Sequence, residues 1–69
     1  MQNFFNNIKG QQIKIETNQG DTVIGRFIQI DHYLNIFMDE CTVTLANEKV
    51  EELDNLFIKG QNILYVSQL

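Results

Sequence analysis

Beyond Gly10 the apolar residues of this chain leave helical spacing and alternate with polar ones in short runs broken by turn residues, a period that confines it to a mostly β fold. Ahead of the change, Phe4, Phe5 and Ile8 stand three to four apart, which predicts a short helix over the first eight residues that lays one apolar edge on the body and ends at Gly10. Ile13 and Ile15 then alternate with Lys14 and Glu16. Asn18-Gln19-Gly20-Asp21 supplies a turn, and residues 22–30 follow as a long second run, so the two read as a β-hairpin. Gly25 lies in the middle of that second strand, where a glycine marks a bend or a close backbone approach, so the strand is expected to curl around a core.

A third strand is expected over residues 33–39, with Leu34, Ile36 and Met38 on one face and Asn35, Phe37 and Asp39 on the other, continuing through 41–45. Ala46-Asn47-Glu48-Lys49 reads as a turn. Two short runs follow, 53–59 and 62–66, joined at Gly60-Gln61 and apolar on both faces. Such runs call for cover on both sides, which a lone small sheet does not supply. If they are edge strands, they are sites for pairing with another chain.

Length points the same way. Sixty-nine residues, read as one domain over 1–69, bury only about 60% of the surface of the unfolded chain, so a chain this small leans on disulfides, a metal or a partner. Cys41 has no second cysteine to pair with, and one cysteine with one histidine, His32, does not build a closed four-ligand zinc site. No cofactor is expected, and oligomerisation remains as the support. An apolar content of 43% with 20% charged residues is globular, no run is long enough for a membrane-spanning helix, and the N-terminus lacks the basic flank and apolar run of a signal peptide. The expectation is a soluble, intracellular protein.

The formal charge of −4 argues against a protein that grips nucleic acid by diffuse phosphate neutralisation. The charge is uneven. Residues 1–38 balance, whereas 39–54 hold Asp39, Glu40, Glu48, Glu51, Glu52 and Asp54 against Lys49 alone, a stretch that reads as a solvated loop and strand face or else as a docking surface for a basic neighbour. Catalytic inventory is thin: Ser67 is the lone serine, Cys41 follows two carboxylates that raise its pKa, and no glycine loop cradles phosphate. An enzyme is not expected.

The run Val23-x-Gly25-x-Phe27, then Asp31-x-Tyr33-Leu34-Asn35-Ile36-x-Met38-Asp39, resembles the first Sm motif, and Ile58-Lys59-Gly60-x-Asn62 with Ile63, Tyr65 and Val66 resembles the second. The chain is thereby similar to the Sm and Sm-like (LSm) family over essentially its whole length. In detail, Phe4-Phe5, Thr42-Val43-Thr44, Phe57-Ile58-Lys59-Gly60 and the ending Tyr65-Val66-Ser67-Gln68-Leu69 look most like the second eukaryotic Sm-like subunit. The resemblance implies a short N-terminal helix followed by a strongly bent five-stranded antiparallel open barrel. It also implies rings, usually of seven identical or different subunits, in which strand four of one subunit pairs with strand five of the next.

It further implies binding of uridine-rich single-stranded RNA, such as the 3′ end of the U-six small nuclear RNA or oligouridylated mRNA, in pre-mRNA splicing or mRNA decay, in nucleus or cytoplasm. By that resemblance Tyr33 stacks on a base, Asn35 reads its edge, Asp31 braces Asn35, and Gly60 lets backbone approach closely, with Lys59 and Gln61 beside it. One position departs: Lys59 stands where the family usually has Arg, so charge is kept and the flat guanidinium stack is lost, and weaker uracil binding is expected. Without the resemblance, Tyr33 reads as a rim aromatic, Asn35 as a turn residue, Lys59 as a solvated cation and His32 as a surface residue. A structural ring-closing subunit with little RNA contact is the main rival, and an oligonucleotide-binding barrel of the OB type a weaker one.

Overall fold

The computed structural model describes residues 2–69, with side chains from Phe4 onward. A short helix, α1 (Gln2–Asn7), precedes five strands, β1 (Gln12–Thr17), β2 (Thr22–Ile30), β3 (Ile36–Thr44), β4 (Val50–Ile58) and β5 (Ile63–Gln68), with one 3-10 turn over Gly60–Asn62. Met1, the expected first helical residue, lies outside the described residues. Of the apolar edge expected on α1, Phe5 packs on the core and stacks toward Phe27 at 5.7 Å, Ile8 just beyond the helix is buried, and Phe4 remains largely exposed. Gly10 then sends the chain into β1, its N–H donating to the Phe27 carbonyl at 2.9 Å.

All strand pairs are antiparallel, in the order β4-β3-β2-β1-β5. Strands β4 and β5 are therefore the two edges of the sheet, each with one neighbour, as their two-sided apolar character suggests. β4 begins at Val50, earlier than the apolar run at 53 indicates. The extra residues carry the acidic side chains Glu51 and Glu52, which with Asp54 are exposed in the isolated chain, as a solvated strand face and a docking surface for a basic neighbour both require.

Bending comes from the β2–β3 pair, where the register slips twice, between Ile24 and Arg26 and between Phe27 and Gln29. The first slip lies opposite Glu40, whose φ of 50° breaks the pleat. Its effect on β3 is a change of parity: Ile36 and Met38 face the core before it, Cys41 and Val43 after it. A regular nine-residue strand would put one of these pairs outside, because side chains alternate strictly. The bulge thus lets one long strand line the core along its whole length. The core itself gathers Ile8, Ile13, Ile15, Val23, Phe27, Ile36, Met38, Cys41, Val43 and Ile58.

One expectation is corrected here. The third strand starts at Ile36 rather than at residue 33, and Leu34, expected on the same inner face as Ile36 and Met38, is 51% exposed with φ at 68°. The Asp31 side chain accepts the Tyr33 and Asn35 N–H groups, each at 2.9 Å, which holds them in a turn and away from a strand ladder.

At Gly25, β2 leaves no room for a side chain against β3. A Cβ added there would lie 2.8 Å from the Cys41 sulfur, 3.0 Å from the Cys41 Cα and 3.1 Å from the Asp39 carbonyl oxygen. Burial first, and then the Asp39 charge, push the Cys41 thiol pKa up, so it packs as a small neutral residue. Gly25→Ala is expected to cost about 1–3 kcal/mol in chemical unfolding. Adding Cys41→Ala should restore only part of the loss, since the backbone contacts persist; full restoration would show that the sulfur alone sets the spacing.

Candidate functional site

The turn between β2 and β3 is built on one carboxylate. Asp31 Oδ1 accepts the N–H groups of Tyr33 and Asn35, and Oδ2 accepts the Asn35 carboxamide Nδ2 at 3.0 Å. The backbone closes the same loop, with Asp31 N–H donating to the Asn35 carbonyl and Leu34 N–H to the Asp31 carbonyl, both at 3.0 Å. Desolvation acts to raise the Asp31 pKa, but the hydrogen bonds from Asn35 and Tyr33 outweigh it and hold the carboxyl below its ordinary value.

Asn35 carries the connection to the second turn. Its Oδ1 accepts the Gly60 N–H at 2.9 Å while its Nδ2 faces Asp31. Because a carboxylate only accepts and a backbone N–H only donates, these partners fix which end of the carboxamide points where. One N–H and one oxygen lone pair of Asn35 are then free for a ligand. Gly60 is required sterically: a Cβ there would stand 2.7 Å from the Leu34 carbonyl oxygen and 2.9 Å from that of Tyr33. The close approach expected at Gly60 is thus made to the β2–β3 turn.

Asp31, Asn35 and Gly60 are therefore hydrogen-bonded into one unit across 25 residues of sequence between Asn35 and Gly60. Tyr33 projects from it and is 73% exposed as a residue. Lys59 and Gln61 flank Gly60. Among the described residues neither side chain makes a hydrogen bond or ion pair, and the Gln61 carbonyl accepts Asn18 Nδ2 at 3.2 Å, which ties the β4–β5 turn to the β1–β2 turn.

Two features were missed from sequence. His32 lies against Tyr33, with ring centroids 4.1 Å apart; adjacency within the Asp31–Leu34 turn was the available signal. Arg26 forms a two-bond pair with Asp39, at 2.8 and 2.6 Å, which raises the arginine pKa and lowers that of the aspartate, mainly through those hydrogen bonds. Its register depends on the β3 bulge, which the alternation pattern does not reveal. The pair removes Arg26 from the count of free cations.

Asn35→Ala leaves the Gly60 N–H without its acceptor and is expected to cost about 1 kcal/mol in denaturant unfolding. The Asp31 contribution has a definite sign with pH. A carboxyl depressed on folding stabilises fully above its ordinary value near 4 and loses that stabilisation as pH falls through the lower folded value. Asp31→Asn should therefore lower the thermal midpoint at pH 7, since its amide would set a donor against Asn35 Nδ2. The wild-type advantage should shrink below pH 4; a difference independent of pH would remove the carboxylate from this account.

Comparison with known proteins supports the fold. A U6 snRNA-associated Sm-like protein LSm6 from Debaryomyces hansenii is 29% identical over 65 residues, covering 94% of this chain and 76% of that protein. A heptameric archaeal Sm protein superimposes with a TM-score of 0.86 over 97% of both chains at 15% identity. The Pyrococcus abyssi Sm protein in complex with a uridine heptamer gives 0.88 over 99% of this chain and 96% of that one, at 20% identity. The sequence relative is named for the sixth Sm-like subunit, so it does not carry the finer likeness to the second. With Sm-fold neighbours of this quality and the LSM domain matching over residues 3–68, the chain belongs to the LSM domain family.

Proposed function

We propose that the chain is one subunit of a ring of Sm-like chains, and that it presents Tyr33 and Asn35 to a base of uridine-rich single-stranded RNA. The carrying observation is the Asp31–Asn35–Gly60 clasp beside the exposed Tyr33 ring. The clasp leaves Asn35 one donor and one acceptor, and the pairing edge of uracil offers carbonyl acceptors around an N–H donor. Stacking on Tyr33 adds about 1–3 kcal/mol per base. Neither term needs a basic surface, which suits a chain of net charge −4.

Assembly follows from the sheet. β4 exposes Val50, Leu53 and Phe57, β5 exposes Leu64 and Tyr65, and each edge has unpaired backbone groups. Addition of β4 to the β5 edge of a neighbouring Sm-like subunit continues the sheet between chains. A heterologous contact of this kind closes into a ring when the rotation allows. Several weak pockets on one rigid ring then act together by raising the effective concentration of each next contact. The proposed setting is pre-mRNA splicing or mRNA decay, in nucleus or cytoplasm, and the snRNA-associated name of the relative supports the first.

Lys59 favours a second reading, a subunit that closes the ring with little RNA contact of its own. Lysine provides charge at this position without a planar group to sandwich the base.

On the assembled full chain, oligouridine is expected to bind more tightly than oligocytidine, and Tyr33→Ala with Asn35→Ala to weaken oligouridine at least tenfold. Equal affinities, with no crosslink from 4-thiouridine RNA to Tyr33, would leave the structural reading. Lys59→Arg is expected to tighten oligouridine binding by a few fold through guanidinium stacking. Light scattering should find the chain assembled, alone or with Sm-like partners; a monomer under both conditions would count against strand addition.

A further inference from the structure

His32 takes no part in the clasp, and among the described residues its side chain makes no hydrogen bond or ion pair. Its ring nevertheless lies against Tyr33, centroids 4.1 Å apart and planes 39° from parallel. The backbone beneath both rings is held. Leu34 N–H donates to the Asp31 carbonyl across a four-residue turn with His32 and Tyr33 at its centre, and Tyr33 N–H is taken by Asp31 Oδ1. The two side chains therefore leave neighbouring points of a fixed turn, and the imidazole covers part of the phenol ring that is otherwise open to solvent.

We infer that His32 is a positioning residue for base recognition: it backs Tyr33 on one side, limits its rotamers, and leaves the opposite face for the base, in a stack of three rings. This inference rests on the proposal that Tyr33 is the base platform. An exposed tyrosine loses rotamer freedom when a base stacks on it, and a neighbouring ring that already restricts it removes part of that loss before the RNA arrives. A ring–ring contact requires only a planar side chain at this position, so another aromatic residue should serve.

The test uses the assembled full chain as wild type, His32→Ala, His32→Phe and Tyr33→Ala, with oligouridine and an abasic oligonucleotide of equal length. His32→Ala should weaken oligouridine about two- to tenfold. His32→Phe should restore it, and the abasic strand, which has no base to stack, should bind all four proteins alike. The thermal midpoint should not move, since His32 is exposed. Wild-type affinity in His32→Ala, while Tyr33→Ala is strongly weakened, would overturn the role of His32 and leave the platform standing. Equal losses in His32→Ala and His32→Phe would show that the ring is not what acts. An unchanged affinity in Tyr33→Ala would overturn the platform and the inference with it.

Discussion

The close approach of β2 to β3 at Gly25 is the constraint on which the remaining architecture depends. Without a side chain there, the Cys41 sulfur and backbone can occupy the space a Cβ would need, and β2 and β3 bend together. The bulge at Glu40 then returns Cys41 and Val43 to the same inner side as Ile36 and Met38. A sheet of five short strands can in this way wrap a core of ten buried side chains without a second sheet to pack against. The curl leaves both edges free, so the device that builds the core also creates the surfaces that call for a neighbour.

The Asp31–Asn35–Gly60 clasp transmits that architecture to the loops. It joins the β2–β3 turn to the β4–β5 turn through a carboxamide whose orientation is dictated by an obligate acceptor on one side and an obligate donor on the other. Much of Asn35 is therefore structural before any ligand arrives. The same hydrogen bonds that stabilise the turn decide which of its atoms remain available, so stability and recognition at this position share one set of contacts. Tyr33 has the opposite character: its backbone is fixed by Asp31, and its ring is committed to little besides His32.

Charge follows the same division. The carboxylates of β4 lie along an edge strand, where water screens them in the isolated chain. Asp31, Asp39 and Asp21 are engaged by specific partners: backbone and side-chain amides for Asp31, Arg26 for Asp39 and the Ala46 N–H for Asp21. A net charge of −4 thus describes the edge of the sheet more than the two turns joined at Gly60, where Lys59 offsets Asp31 in the count.

The amino-acid sequence alone determined the order of helix and strands, the bend at Gly25, the apolar character of the last two strands and the residue types of both turns. These follow from local spacing and from side-chain chemistry that does not depend on distant contacts. Where the third strand begins and which face Leu34 takes were set by hydrogen bonds within the Asp31–Asn35 turn that alternation does not register, and the pairing of Arg26 with Asp39 was decided by tertiary structure. An aspartate that captures two backbone N–H groups ends a strand that alternation alone would extend, and a bulge of one residue moves the cross-strand register out of reach of any periodic pattern. The link from Asn35 to Gly60 also belongs to the fold, because a hydrogen bond between turns 25 residues apart exists only once the sheet has curled to bring them together.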